Sequence, residues 1–249
     1  EVPTLPRSGD SVWCPPPIHF AGGTAANVAS GLAALGVPVN FHGRVGDDPF
    51  GTFLTEDFEE RGVGTAGLIK DAAAPTGRVF AMIEAGGERS MVVCASGAAH
   101  TRFGPEDLNL LASASPAAIY LTGVLLIEEP SRGSMHDLVE RYRGEATIYF
   151  DPNLRVPPDG VSPEIGESMA WVSERSDVVL VGESEVRALG LQPADDQLFV
   201  VKCGARGARI ETPQGVVEQV HACAVEMVQA IGAGDTFDAA FIAAQTKGF

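Results

Sequence analysis

Short apolar runs alternate with amphipathic stretches through the second half of the chain, and this alternation restricts the possible folds more than any other feature. Runs too short for helices and bounded by turn residues predict buried strands. They lie at residues 117–123, 146–150, 178–181, 198–202 and 208–211. Helical patterns lie at residues 134–142, 163–174, 183–189 and 236–245. Apolar strands that alternate with helices indicate a mostly parallel sheet with helices on both faces.

The first half of the chain departs from this rhythm. Residues 1–17 are rich in Pro, Ser and Gly, which predicts irregular surface chain before a short strand at 18–20. An alanine-rich helix is predicted at 25–35, with Gly36 as its cap. The other predicted elements are a strand at 37–45, a helix at 51–61 capped by Asp48, and a hairpin of strands 78–83 and 89–93 around a glycine turn.

Together these elements predict a three-layer α/β fold with a small β lid, built as a single domain over residues 1–249. The hydrophobic fraction of 45% is sufficient for a packed core. The hairpin does not fit the strand–helix rhythm, so we expect it to cover one end of the sheet. The lid strands are expected at about 12–23, 38–45 and 77–94.

The composition argues against several classes of protein. A net charge of −16 disfavours nucleic acid and anionic membranes as partners. The apolar stretch 117–127 is too short to span a bilayer. The opening residues show no basic stretch followed by an apolar one, so a secretion leader is not expected. Four cysteines without a CxxC pair favour a reducing, cytoplasmic compartment. The histidines show no spacing typical of a transition-metal site.

The most informative motif is Gly232-Ala233-Gly234-Asp235, directly before an apolar helix. The glycines allow a tight turn that aims successive backbone N–H groups outward, where the helix N-terminus adds partial positive charge. Such a turn predicts an anion site. An acid within it would repel a phosphate that is only held, but it can accept a proton from a hydroxyl that attacks a transferred phosphoryl group. The alternative interpretation is that Asp235 only caps the helix.

Other catalytic motifs are missing. No GK[ST] follows the glycine turn, so the segment is not a P-loop, and neither glycine-rich turn has the full GxGxxG pattern of dinucleotide sites. No serine lies in a GxSxG elbow, which argues against a serine hydrolase.

Two segments of the sequence resemble the signatures of a known family. The segment 22–29, Gly-Gly-Thr-Ala-Ala-Asn-Val-Ala, followed by Gly-Arg-Val-Gly-Asp-Asp-Pro-Phe-Gly at 43–51, is similar to the N-terminal signature of the ribokinase-like (PfkB) carbohydrate kinases. The segment 232–237 resembles their C-terminal signature. Asp-Pro-Asn-Leu-Arg at 151–155 is similar to the pattern of fructokinases and ketodeoxygluconate kinases. The likeness covers nearly the whole chain.

The resemblance implies an ATP-dependent kinase that phosphorylates a sugar hydroxyl, with Mg²⁺ on the phosphates. Asp235 would be the general base, and the amides of 232–234 the anion hole. The residues implied for the sugar are Gly22, Gly23, Asn27 and Arg155. Those implied beside the nucleotide are Lys202, Gly204 and Gly207, and Glu185 would organise Mg²⁺ through water. Lids in this family often join two subunits, which implies a homodimer.

The sequence departs from the family pattern at several positions. Gln229-Ala230 replaces the Asp-Thr that helps to bind a monovalent cation, so the resemblance does not establish potassium dependence. Gly182 replaces the Asn of the Asn-x-x-Glu motif. The family's first strand, which carries a sugar-binding Asp, would precede Glu1, and helices that wall the adenine would follow Phe249.

Three functional hypotheses follow. The first is a kinase of a monosaccharide or sugar acid. The second is a catalytically weak sugar- or nucleotide-binding relative, motivated by the substitutions at Gly182, Gln229 and Ala230. The third is a nucleoside kinase of the same family.

Overall fold

The computed structural model describes residues 6, 8–9, 11–83, 89–113, 115–154, 160–223 and 231–248. The strands are β1 (Asn40–Gly46), β2 (Gly64–Asp71), β3 (Arg78–Ile83), β4 (Arg89–Cys94), β5 (Ala118–Thr122), β6 (Thr147–Asp151), β7 (Val178–Gly182), β8 (Leu198–Lys202), β9 (Ala208–Thr212) and β10 (Gly215–Val220). The helices are α1 (Thr24–Ala34), α2 (Pro49–Glu60), α3 (Leu108–Ala112), α4 (Ser131–Tyr142), α5 (Pro163–Arg175), α6 (Glu183–Leu189) and α7 (Ala233–Thr246).

A six-stranded sheet forms the centre of the molecule, in the order β10-β9-β8-β7-β6-β5. Strands β5 to β8 are parallel, whereas β9 and β10 are added antiparallel at one edge. This confirms the predicted mostly parallel sheet.

The two faces of the sheet are covered by different helices, as the strand period of two requires. Ile148 and Phe150 of β6 pack with α4 and α5, while Tyr149 between them packs with α1 and α7. All three side chains are buried. The molecule therefore has the predicted three layers.

Helices α1 and α7 lie side by side and run in the same direction. Asn27 contacts Asp235 near their N-termini, and one turn further Gly31 faces Ala239. At the other end, the Lys247 ammonium donates to the carbonyl of Leu35. The two N-termini therefore lie together at the same edge of the sheet.

The first half of the chain forms two smaller sheets. Strands β1 and β2 make a parallel pair, and β3 and β4 make the predicted antiparallel hairpin, whose connecting turn at 84–88 lies outside the described residues. Segment 38–45, predicted to contribute to the lid, forms most of β1 and pairs with β2, not with the hairpin. The strand predicted at 18–20 is wrong: residues 11–23 form no strand, because three consecutive prolines without N–H donors precede it and most of the segment is exposed.

Asp48 caps α2 as predicted, and it also fixes the chain that leads into β3. Its Oδ1 accepts hydrogen bonds from the Gly51 amide and the Thr76 hydroxyl, both at 2.8 Å. Its Oδ2 accepts one from the Thr76 amide at 2.8 Å. The Thr76 hydroxyl receives a further bond from the Gly46 amide. One carboxylate therefore joins α2, the end of β1 and the base of the hairpin.

Most predicted boundaries agree with the structure to within a few residues, but β2, α3 and β10 were not predicted. None of the helices in the described part of the chain has the length and apolar character needed to cross a bilayer.

Candidate active site

The candidate site lies at the carboxyl edge of the parallel strands. Thr122 at the end of β5 is paired in register with Asp151 at the end of β6. Gly182 at the end of β7 is likewise paired with Lys202 at the end of β8. In open α/β sheets this edge is where ligands bind.

Both α1 and α7 begin above this edge with a glycine in the left-handed region of backbone space. Gly23 has φ 109° and Gly232 has φ 79°, values that a side chain disfavours. The first N–H groups of a helix have no partner inside it, and the two helix dipoles point in the same direction. Gly22, Gly23, Ala233 and Gly234 are exposed, so a ligand can reach this backbone. The arrangement fits an anion such as a phosphate.

Asp235 lies between these two helix starts. Its Oδ2 accepts a hydrogen bond of 2.6 Å from Nδ2 of Asn27 on α1. Its Oδ1 lies 3.4 Å from Nδ2 of Asn153, in the loop after β6. The residue is 8% exposed, so its carboxylate is largely shielded while it faces the groups of two other elements. The sequence-predicted pair Asn27 and Asp235 is therefore brought together, with 208 positions between them in the chain.

A buried cluster of charges lies next to Asp235. The ammonium nitrogen of Lys202 is 2.8 Å from Oδ2 of Asp151 and 3.0 Å from Oδ1 of Asp238. The Tyr120 hydroxyl donates to Oδ2 of Asp238 at 3.2 Å. Burial, together with the negative charge of Asp151, raises the pKa of Asp238 to about 8.

Lys202, expected beside the nucleotide, forms ion pairs with Asp151 and Asp238 in the structure. Its side chain is 15% exposed, and its ammonium group faces the two carboxylates. One of these carboxylates belongs to Asp238, which lies one turn after Asp235 on α7 and faces the same edge of the sheet. Asp151, Asp238 and Tyr120 were not predicted as site residues from the sequence. The i, i+3 spacing of Asp235 and Asp238, which places both on one helix face, was the available signal.

Glu185 joins two loops at the same edge. Its Oε2 accepts the Gly182 amide at 2.8 Å and so closes the start of α6, while its Oε1 accepts the Leu154 amide at 2.5 Å. Burial and the nearby charge of Asp151 raise the pKa of this carboxyl group. Each oxygen has a lone pair left that could receive a hydrogen bond from a metal-bound water. Among the described residues, no group of three or more His, Cys, Asp or Glu side chains could hold a metal directly.

The two glycines predicted beside the nucleotide differ in what surrounds them. Gly204 has φ 60° and is exposed, and a Cβ placed on it would meet no atom within 4 Å. Gly207 has φ 96°, and a Cβ there would overlap the Val220 carbonyl oxygen. A glycine is therefore required at 207 by the close approach of β9 and β10, whereas a side chain at 204 would point into open space. Arg155, predicted to contact the sugar, lies outside the described residues.

Comparison with known proteins agrees with this geometry. The family described as pfkB family carbohydrate kinase matches residues 14–248. The chain is 32% identical to a fructokinase of Vibrio alginolyticus over an alignment of 263 positions, which covers 99% of this chain and 81% of that protein.

Two solved structures have a closely similar fold. A sugar kinase of Pyrococcus horikoshii in complex with ATP is 30% identical, with a TM-score of 0.80 over 89% of this chain and 74% of that one. A fructokinase of Vibrio cholerae with bound fructose, ADP and calcium ion is 26% identical, with a TM-score of 0.73 over 89% of this chain and 75% of that one. The chain described here therefore belongs to the pfkB family of carbohydrate kinases, phosphotransferases that act on a sugar hydroxyl.

Proposed function

We propose that the protein is an ATP-dependent kinase of a monosaccharide or sugar acid, with fructose as the first candidate substrate. The observation that carries the proposal is the placement of Asp235, which is held by Asn27 and lies beside the anion-binding turn. The fructokinases among its relatives support fructose, and the ATP complex of the Pyrococcus horikoshii relative supports the nucleotide.

In this proposal, ATP supplies the phosphoryl group and a divalent cation, Mg²⁺, offsets the charge of its phosphates. Asp235 accepts the proton of the sugar hydroxyl while the hydroxyl oxygen bonds to phosphorus. Asn27 and Asn153 hold the two carboxylate oxygens, so the base keeps a fixed orientation. The amides of residues 232–234 hold the negative charge of the transferred group.

The remaining site residues are proposed on less direct grounds. Gly22 and Gly23 would let the sugar hydroxyls approach the exposed backbone before α1, and Arg155 would contact an acidic group on the substrate. Gly204 and Gly207 would line the nucleotide side. Glu185 would orient Mg²⁺ through water, since both of its oxygens already accept backbone amides.

The test is ADP release from ATP and Mg²⁺ with a panel of fructose, ribose, ketodeoxygluconate, fructose phosphate and adenosine. We expect turnover with one of the sugars. Turnover with adenosine alone would favour the nucleoside kinase. Calorimetry that detects sugar binding without ADP release from any substrate would favour a catalytically weak binding relative.

We also propose that the protein has no potassium requirement. Gln229 and Ala230, which lie outside the described residues, supply neither the charge nor the hydroxyl of the family's Asp-Thr pair. Activity in sodium-free buffer should change little when K⁺ replaces a quaternary ammonium salt at equal ionic strength. A strong increase with K⁺ would contradict this proposal.

A homodimer through the lid is proposed from the exposed apolar hairpin. Val79 and Val93 are paired in register and are 56% and 53% exposed, and their neighbours Phe80 and Val92 are each 49% exposed. Apolar surface of this kind favours burial against a second copy. Light scattering after size exclusion should give the dimer mass, and Phe80→Glu should shift it to the monomer. A wild-type monomer at all accessible concentrations would contradict the proposal.

A further inference from the structure

Lys202 is a buried cation that the proposed mechanism does not use. It ends β8, and its ammonium group reaches Asp151 on β6, although β7 lies between these strands. The residue paired with Lys202 on β7 is Gly182, which has no side chain to block the path. Neighbouring strands are about 4.8 Å apart, so only a long side chain spans two of these intervals. The lysine therefore connects two strands that do not touch.

The first path from Lys202 to Asp235 runs through Asp151. Its Oδ1 accepts the backbone N–H of Asn153 at 2.9 Å. This bond holds Asn153 in the left-handed region, with φ 40°, which costs energy for a residue other than glycine. In this conformation the Asn153 amide nitrogen lies 3.4 Å from Oδ1 of Asp235. Lys202 therefore holds Asp151, and Asp151 in turn holds Asn153 beside Asp235.

The second path runs through α7 itself. Asp238 lies three positions after Asp235 on the same helix face and is 0% exposed. Its carboxylate is held by Lys202 and by the Tyr120 hydroxyl. A Cβ placed on Gly234 would lie 3.8 Å from the Lys202 ammonium nitrogen. The cation therefore lies directly behind the turn that forms the anion site.

The ionisable groups around Lys202 come from four elements. Asp151 on β6, Glu185 on α6 and Asp238 on α7 interact with Lys202 itself, and Tyr120 on β5 interacts with Asp235 and Asp238 of α7, whereas α1 has no ionisable side chain. Burial disfavours the charged form of Lys202, but Asp151 and Asp238 outweigh it and raise the pKa of the lysine. The ammonium group therefore stays protonated and takes no part in proton transfer.

We propose that Lys202 is a positioning residue, which holds Asp151 and Asp238 so that the Asp235 carboxylate stays charged and aimed at the substrate hydroxyl. The substrate hydroxyl in this proposal rests on the proposed kinase function. The contacts of Lys202 with Asp151 and Asp238 do not depend on that function. In the supported step, the hydroxyl O–H bond breaks and its proton passes to Asp235. The oxygen bonds to the γ-phosphorus, and the bond from that phosphorus to the leaving ADP breaks.

Kinetics of Lys202→Met provide the first test. We expect kcat to fall about 100-fold, as for misplacement of a reacting group, with KM for sugar and ATP nearly unchanged. The acid limb of the kcat–pH profile should move to higher pH, because a cation that favours the ionised base is lost. Lys202→Arg should restore part of kcat. The matched control is Lys247→Met, which removes a lysine contact at the far end of α1 and α7 and should leave kcat unchanged.

Titration without substrate provides a test that does not depend on activity. In protein labelled with carboxyl-¹³C aspartate, the signal missing from Asp235→Asn identifies residue 235. Its titration midpoint should move to higher pH in Lys202→Met and return toward the wild-type value in Lys202→Arg. If Lys202→Met does not fold, Asp238→Asn removes one of the two ion pairs while Asp151 still pairs the lysine, and it should lower kcat by less than about 100-fold.

The outcomes separate the two proposals. An unchanged midpoint, or a raised KM with unchanged kcat, would overturn the positioning role whatever the substrate proves to be. A shifted midpoint in a protein that releases no ADP with any sugar would overturn the kinase function and support the positioning role.

Discussion

Gly31 of α1 and Ala239 of α7 are so close that a Cβ built on Gly31 would lie 2.7 Å from the Cβ of Ala239. Carbon atoms that are not bonded prefer about 3.5–4 Å, so these helices pack at a distance that only glycine permits. The same contact sets the spacing of the two helix starts that hold Asn27 and Asp235.

We therefore expect Gly31→Ala to destabilise the protein by up to about 2 kcal/mol, because overpacking costs roughly 1–3 kcal/mol and alanine recovers roughly 1 kcal/mol of helix propensity. The matched control is Gly166→Ala on α5, where a Cβ would meet no atom within 4 Å. It should stabilise by about 0.5–1 kcal/mol. Urea unfolding of both variants gives the comparison, and equal free energies of unfolding would contradict the close packing.

Asp235→Asn should abolish most of the activity while the substrates still bind. Asparagine keeps the size of the side chain but cannot accept the proton, and removal of a positioned base costs about 10²–10⁴-fold in rate. The measurement is ADP release with the best sugar of the panel, together with calorimetry of sugar and nucleotide binding. Asp137→Asn, on the exposed face of α4, is the control and should retain full activity. Full turnover by Asp235→Asn would exclude the proposed base.

The central strands were predictable because burial leaves a pattern in the sequence. Residues 178–182 form an apolar run between polar segments, and β7 is buried along nearly all its length. Strand β10 was missed for the opposite reason: all its residues are exposed at the edge of the sheet, so neither face carries a hydrophobic period. Because β10 is exposed along its whole length, its sequence lacks the hydrophobic pattern that would have predicted a strand.

The site was predictable only in part, and for a different reason. Gly232 and Asp235 lie within one motif, and the family resemblance supplied Asn27. The contacts of Lys202 were not predictable in this way, because Lys202 lies 51 positions from Asp151 and 36 from Asp238 in the chain. Their meeting depends on the strand order and on how α7 lies over the sheet, which no local pattern encodes.

Gly204→Ala and Gly207→Ala should separate nucleotide binding from folding. Alanine at Gly204 meets open space and adds only the strain of φ 60°, so stability should fall by about 1 kcal/mol while KM for ATP rises. Alanine at Gly207 would overlap the Val220 carbonyl and should destabilise the protein by about 3 kcal/mol or more, because backbone cannot move aside as a side chain does. Thermal unfolding and ATP kinetics of the two variants test this. A Gly207→Ala protein as stable as wild type would contradict the predicted overlap with the Val220 carbonyl.

Asp48 is expected to make the base of the lid sensitive to acid. Its partial burial disfavours ionisation, but the bonds from the Thr76 and Gly51 amides outweigh this effect and lower the pKa of the carboxyl group below 3.8. A lowered pKa in the folded protein contributes stability above the ordinary value, and that contribution is lost as the pH falls through the lowered one. Asp48→Asn should therefore be less stable than wild type by about 1–3 kcal/mol at pH 7, since it loses charge-assisted bonds.

The difference between wild type and Asp48→Asn should narrow as the pH falls below about 4, because protonated Asp48 also loses these bonds. The neighbouring Asp47 is exposed, and Asp47→Asn provides the control with the same change of charge. Urea unfolding at a series of pH values gives the three curves. The lowered pKa predicts that the free energy of unfolding of Asp48→Asn approaches the wild-type value at low pH. No such convergence is expected for Asp47→Asn, because it is Asp48 that accepts the hydrogen bonds from Gly51 and Thr76. A gap that stays constant down to pH 2 would mean that the charge of Asp48 does not hold the hairpin base.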